Sequence, residues 1–197
     1  MYRGLSLACV ALLVGWLGPG AAAQDAPPNP KVVIETTEGD ITVELFRADA
    51  PASVVNFLMY ARDGYYNGTI FHRVIRNFMI QAGGYTAGLT LKTEGLRGAI
   101  LNEATNNLRN RRGTIAMART AEPNSAHAQF FINTEDNRAL DHKNKTAQGF
   151  GYAVFGEVTE GMDIVDRIER ASTHGVNGMD DVPRDPIVIT QIRRLDQ

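Results

Sequence analysis

The chain has 197 residues, 20 basic against 22 acidic side chains, a formal charge of −2 and 44% hydrophobic residues. That balance argues against a general nucleic-acid binder, which presents a strongly basic face, and the length suffices for one domain with its own core. The single cysteine, Cys9, excludes an internal disulfide framework.

In chain order, Arg3 supplies a positive start, Leu5 to Leu17 is an apolar run of 13 residues, and Gly18-Pro19-Gly20 breaks it. Ala21-Ala22-Ala23 has the small-x-small form that a signal peptidase reads, so residues 1–23 are read as a signal peptide cleaved before Gln24. The run falls short of the roughly 20 apolar residues of a spanning helix, and Ser6 and Leu7 do not make a lipobox ahead of Cys9. No stable membrane anchor is expected after cleavage. Loss of Arg3 leaves 19 basic against 22 acidic residues and no cysteine, so the mature chain must be held by its core.

Residues 24–30 read as a stiff, proline-rich tether. KVVIETTEGDITVELF then gives two β-rich runs around a turn at Glu38-Gly39, a hairpin pattern. DAPASVVNFLMYARDG changes period: Val54, Val55, Phe57, Leu58 and Ala61 fall on one helical stripe, Pro51 suits the first turn, and Gly64 suits the stop. Short strand-like runs follow: TIFHRVI, FMIQA, GTIAMAR, AQFFINT, YAVFGEV and PIVITQIRRL. GMDIVDRIER interrupts them with a second helical stripe of Met162, Val165 and Ile168. Many short strands with few helices predict a mainly β fold, sandwiched or closed into a barrel that leaves no exposed edge.

Known catalytic motifs are absent. His72, His127, His142 and His174 are widely spaced and show no zinc-like pairing, and there is no HExxH, GxSxG or phosphate-binding glycine loop. Neither a metal nor a cofactor is expected. The cluster Arg109, Arg111 and Arg112 reads as a solvated loop rather than an anion patch. One constellation remains. Met79 and Gln81 share a strand face, as do Gln129 and Phe131, so each run sets a large apolar group beside a neutral amide. Arg73 falls between Phe71 and Ile75 and adds a permanent charge. Spacing leaves two readings open: an apolar cup rimmed by hydrogen-bonding groups, or core aromatics with glutamines that stabilise backbone.

FHRVIRNFMIQAGG (71–84), RGTIAMART (112–120), SAHAQFFIN (125–133), ALDH (139–142) and GYAVFGEV (151–158) resemble the cyclophilin family of peptidyl-prolyl isomerases. The likeness runs from about Lys31 to Leu195, and NEA…NLRNRRGTIAMART (102–120) is similar to the bacterial, often periplasmic, branch. It implies a closed eight-stranded antiparallel β-barrel capped by two α-helices over residues 31–195. It also implies a rotamase acting on Xaa-Pro bonds, with Arg73 as the catalytic donor to the prolyl nitrogen. By the same likeness Phe78, Met79, Phe131 and Leu140 form the proline pocket, and Gln81 and Gln129 hold backbone or Arg73. Ala118 and Arg119 border the groove, His72 lies beside it, and Tyr152 stands where the eukaryotic branch has histidine. Ala82 replaces a family glycine, tolerable if its φ stays negative. Ala139 replaces a customary Trp or Phe, which should weaken binding of cyclosporin-type inhibitors. The implied partners are proline-containing unfolded or flexible polypeptides met by a monomer in the periplasm, with the secretory pathway as the runner-up. The alternative is a non-catalytic proline-peptide chaperone on the same fold.

Overall fold

Lys31–Thr36 (β1) buries Val32, Val33 and Ile34 in succession, whereas Gly39–Leu45 (β2) alternates apolar with polar residues, and the two pair antiparallel across the turn Thr37-Glu38, with Thr36 opposite Gly39. Ile41, Val43 and Leu45 point into the interior with no exposed surface. Gly39 holds φ +130°, and a Cβ there would meet Ile164 Cδ1 at 2.8 Å, so the turn requires glycine. The computed structural model describes Met1 and residues 28–195. The signal-peptide reading therefore lies outside the described residues except at Met1. The last tether residues are already fixed: Pro30 O accepts from Leu45 N at 2.9 Å, and Asn29 donates to Glu44 at 3.0 Å.

The remaining strands are Thr69–Ile70 (β3), Arg73–Ile75 (β4), Met79–Ala82 (β5), Thr114–Met117 (β6), Phe130–Asn133 (β7), Val154–Glu160 (β8), Thr173–Val176 (β9), Met179–Pro183 (β10) and Val188–Arg194 (β11). Nine of the eleven strands form one antiparallel sheet in the order β3-β11-β1-β2-β8-β6-β7-β5-β4, and β9 with β10 makes a separate hairpin. The strand expected over TIFHRVI is two strands. Alternation fails at Phe71 and His72, which are both buried, at 0% and 3% exposure. Phe71 N bonds Ile187 O (3.0 Å) toward β11, whereas His72 N bonds Gln81 O (3.1 Å) toward β5. The two edges of the sheet are thus halves of one interrupted strand, and the sheet curls until they meet. Counted as one, they restore the eight strands expected. Through the break Phe71 enters the core, while Arg73 with Ile75 turns outward.

Two helices close the ends. Pro51–Arg62 (α1) packs on β11, and Met162–Glu169 (α2) packs on β2, β4 and β5. Pro51 opens α1 as expected, and Gly64 (φ +67°) ends it, with Tyr65 N→Tyr60 O (2.9 Å) and Gly64 N→Ala61 O (3.1 Å) completing a Schellman turn. The buried stripe is rotated from the expected one. Ser53, Val54, Asn56, Phe57 and Tyr60 face inward, and Val55 is 50% exposed. The cause is polar anchoring: Asn56 Nδ2 donates to His127 O at 2.6 Å, and Ser53 is drawn to Glu103. Below the helix, Phe57 stacks with Tyr66, Phe130 and Phe155 at centroid distances of 5.2, 5.4 and 5.3 Å. Such pairs add about 0.5–1.5 kcal/mol each beyond area burial.

Ala50 offers α1 no side-chain cap. Glu103 caps it instead from the connection between β5 and β6, accepting from Ala52 N (2.9 Å), Ser53 N (2.8 Å) and Ser53 Oγ (2.7 Å). Hydrogen bonds to a charged group contribute about 1.5–3 kcal/mol each, and the carboxylate also meets the positive end of the helix dipole. Glu103→Ala is expected to lower unfolding free energy by roughly 2–3 kcal/mol. Urea denaturation checks this, with a lowered midpoint at unchanged slope.

Candidate active site

Strand register sets the site. Arg73 stands opposite Gln81, Gln81 opposite Phe131, Phe131 opposite Ala116, and Ala116 opposite Val154, so one row crosses β4, β5, β7, β6 and β8 on the outer face. The adjacent row, Val74, Ile80, Ile132 and Ile115, fills the interior. Met79, Ala116, Phe131 and Val154 form a second apolar cluster outside the barrel, joined by Phe78, Ala118, Leu140 and Tyr152.

This cluster floors a pocket of about 90 Å³. Met79 and Phe131 are its buried base, at 2% and 4% exposure. Phe78, Leu140, Tyr152 and Ala118 are its sides, and Arg73, Gln81 and Arg119 its rim. Tyr152 meets Phe131 edge-on, with centroids 5.6 Å apart and planes at 81°. Gln81 Nε2 donates to Gln129 Oε1 at 2.9 Å, so the two amides hold each other rather than Arg73. Gln129 lies so close over Gly84 that a Cβ there would approach its amide at 2.5 Å. Ala82 keeps a negative φ and faces the core at 0% exposure. Among the described residues the Arg73 guanidinium makes no hydrogen bond or ion pair, and its side chain is exposed at the lip.

A larger cleft of about 430 Å³ adjoins the pocket and shares Arg73, Gln81 and Arg119 with it. His72 and Gln129 line this cleft rather than the small pocket. His72 packs on Tyr85 with centroids 4.7 Å apart, and burial pushes its pKa down to about 4. Met179, Asp180 and Asp181 of β10 form the far wall. No group of three or more His, Cys, Asp or Glu able to hold a metal occurs among the described residues.

Arg119 does not reach into the groove as a free cation. Its Nε donates to Gly151 O (2.9 Å), Nη1 to Thr120 O (2.9 Å) and Ala121 O (3.1 Å), and Nη2 to Ala147 O (3.0 Å). The guanidinium also lies over the Tyr152 ring at 4.7 Å. The polar loop KNKTAQG (143–149) gains its meaning here: Lys143 N and Asn144 N bond Gly149 O (2.8 and 3.0 Å), and Arg119 ties the closed loop to the pocket wall.

Sequence reasoning missed the amides behind the wall. Asn137 Nδ2 donates to Phe78 O (2.7 Å) and to Asn133 Oδ1 (2.8 Å). Asn133 Nδ2 donates to Asn110 Oδ1 (3.2 Å) and Thr114 Oγ1 (2.9 Å). Asn110 N donates to Asp141 Oδ1 (2.7 Å), and its Nδ2 reaches Tyr152 O (3.3 Å). Phe78, Leu140 and Tyr152 are thus fixed from behind by one polar chain. The one signal in the sequence was Asn133 at the end of the apolar run FFI, since Asn110 and Asn137 stand between charged neighbours.

A cyclophilin type peptidyl-prolyl cis-trans isomerase model matches residues 31–194, covering every element that builds this site. The chain belongs to that family. Its activity is peptidyl-prolyl cis-trans isomerisation. It is 52% identical to a peptidyl-prolyl cis-trans isomerase of Streptomyces antibioticus over 83% of this chain and 98% of that one. It is 50% identical to peptidyl-prolyl cis-trans isomerase B of Escherichia coli K12 over 82% and 97%. Among solved structures, a cyclophilin type isomerase of Cryptosporidium parvum superposes with a TM-score of 0.69 at 27% identity, covering 86% of this chain and 99% of its own.

His72 makes the surroundings of the cyclophilin pocket sensitive to pH. His72 is buried neutral, so the unfolded chain binds a proton that the native state refuses between pH ~6.5 and ~4. The contribution of His72 to stability is fully present above that window and is lost as pH drops through it, by about 3 kcal/mol in total. A His72→Gln variant is expected to flatten this slope in urea titrations run across the window. An undiminished slope assigns the acid sensitivity to other groups.

Proposed function

We propose that the chain is an exported isomerase that accelerates rotation about Xaa-Pro bonds in unfolded or flexible polypeptides, acting as a monomer in the periplasm. The observation that carries the mechanism is Arg73: an unpaired guanidinium at the lip of an apolar pocket of about 90 Å³. The proline ring enters over Phe131 and Met79, between Phe78, Leu140 and Tyr152. The residues flanking it lie along the rim and in the adjoining cleft of about 430 Å³.

Planar amide resonance sets a barrier of roughly 18–20 kcal/mol to rotation. As the bond twists, the prolyl nitrogen regains its lone pair and accepts a hydrogen bond that the planar amide cannot. A donor aimed at that nitrogen therefore binds the twisted state better than either planar isomer, which is the condition for catalysis. Arg73 has five N–H donors and keeps its charge at every working pH. A preorganised donor of this kind is typically worth about 3–4 kcal/mol, roughly a hundred- to thousand-fold in rate. No bond to the protein forms and no proton is exchanged. The apolar floor contributes by removing water from the amide, whose planar form is the better solvated.

Export rests on the Arg3 to Ala23 pattern, and mass measurement of the mature chain after fractionation tests cleavage before Gln24. Ala139 leaves the outer side of the pocket without an aromatic wall, so weak inhibition by cyclosporin-type ligands is the expected result of a titration.

Arg73→Ala is expected to stay folded and to lose about a hundred-fold or more in kcat/KM on a proline tetrapeptide. A folded variant at full rate would overturn the role given to Arg73. Peptide binding by the wild-type protein without acceleration would favour a chaperone that only binds. The wild-type rate is expected to be flat from about pH 6.5 to 9, because arginine does not titrate there.

A further inference from the structure

Of the three clustered arginines, Arg112 is committed elsewhere. Its Nη2 meets both oxygens of Asp166 at 2.8 and 2.9 Å, and its Nη1 donates to Thr134 O at 2.8 Å. Arg109 and Arg111 are joined instead by Arg138, and these three line one depression of about 190 Å³. Among the described residues none of the three guanidinium groups makes a hydrogen bond or ion pair. The two carboxylates in the depression are turned to backbone: Asp136 accepts from Arg112 N at 3.0 Å, and Asp141 from Asn110 N at 2.7 Å. Neither pairs with any of the three arginines. The hollow sets three guanidinium groups against two carboxylates, a net charge of +1, so an anion entering it meets a surplus of positive charge and unengaged N–H donors.

We propose that this hollow is a binding site for a phosphate-type oxyanion of two or more charges, such as pyrophosphate or a phosphomonoester. The planar guanidinium fork matches tetrahedral oxyanions in bidentate fashion, which a lysine cluster does not. Position gives the site a consequence for the enzyme. Arg109 and Arg111 flank Asn110, the buried residue that bonds the Tyr152 carbonyl and Asp141. Arg138 opens the 3₁₀ turn Arg138–Leu140, whose last residue lines the proline pocket. An anion held by all three arginines ties the segment 109–111, whose Asn110 holds the Tyr152 carbonyl, to the turn that carries Leu140. Occupancy therefore stiffens the outer wall of the pocket from behind and lowers KM for peptide with little change in kcat.

Calorimetric titration of the full-length mature protein with sodium pyrophosphate tests this, beside flotation with phosphatidylcholine vesicles made with and without phosphatidic acid. The first arm reads a soluble oxyanion and the second a lipid headgroup. Saturable one-to-one binding is expected at low ionic strength and should weaken as salt shortens the screening length to about 8 Å. Arg109→Ala with Arg138→Ala is expected to abolish it. Arg138→Lys, which keeps the charge but loses the fork, should weaken it on the order of ten-fold. Arg76→Ala, an exposed arginine in the turn between β4 and β5, serves as control. Amide shifts at Asn110 and Tyr152 should follow the titration. Arginine-dependent binding in either arm carries the proposal, and the arm that responds names the source. Absence of saturable binding in both arms, or binding that the double variant retains, overturns it.

Discussion

Register across β4, β5, β7 and β6 is the constraint on which the rest of the molecule depends. Because side chains alternate, the row Arg73–Gln81–Phe131–Ala116 and the row Val74–Ile80–Ile132–Ile115 are inseparable. A one-residue slip of β4 would drive a guanidinium into the core and turn Val74 to solvent. Burying an unpaired charge costs far more than any local strand preference can return. The interior isoleucines therefore fix the position of Arg73 as firmly as any contact Arg73 makes itself. The break at Phe71-His72 adds a second fix. It lets Phe71 enter the core and still turns Arg73 outward two residues later.

A sheet can supply a floor to an external pocket but not walls. Here the walls come from loops, and loops need polar struts to hold a shape. Arg119 meets four carbonyls with one planar fork, and the Asn137–Asn133–Asn110 chain holds the carbonyls behind Phe78 and Tyr152. Buried networks of this kind are favourable only when fully satisfied. Each amide here hands its donors to a backbone carbonyl or to the next side chain. Rigidity in the wall matters for a reaction without covalent steps, because positioning and differential hydrogen bonding are then the available sources of rate.

How much of this was legible follows from periodicity. The strands of the sheet and both helices were readable because period 2 and period 3.6 are carried by single residues such as Ile41, Val43 and Phe57. The split of TIFHRVI was not, since a run with two consecutive inward residues looks like an uninterrupted apolar strand. The rotation of α1 was hidden for another reason: Ser53 and Asn56 are buried by partners 50 and 71 residues away, and no local pattern encodes them. In the site, Met79, Gln81 and Phe131 were singled out by spacing and family likeness together, and Phe78 by the likeness alone. Arg119, expected to border the groove, lines both the pocket and the adjoining cleft, and its fork engagement with the 143–151 loop needed coordinates. The β9–β10 hairpin went unseen because its residues are mostly half-exposed and carry no alternation.

Arg73 has no ion pair among the described residues, which fits the chemistry proposed for it. A carboxylate partner would hold the guanidinium in place, yet it would also compete for the N–H groups that a twisted prolyl nitrogen must receive. Packing supplies the orientation instead: β4 is anchored on one side by β5 and on the other by the β9–β10 hairpin. Asp180 and Asp181 stand across the adjoining cleft and offset the positive charge of the rim at a distance. Through high-dielectric solvent such an offset is weak, so it does not draw the donors away. A charge fixed by its backbone and left free at its tip is what a donor needs when its acceptor exists only at the top of the barrier.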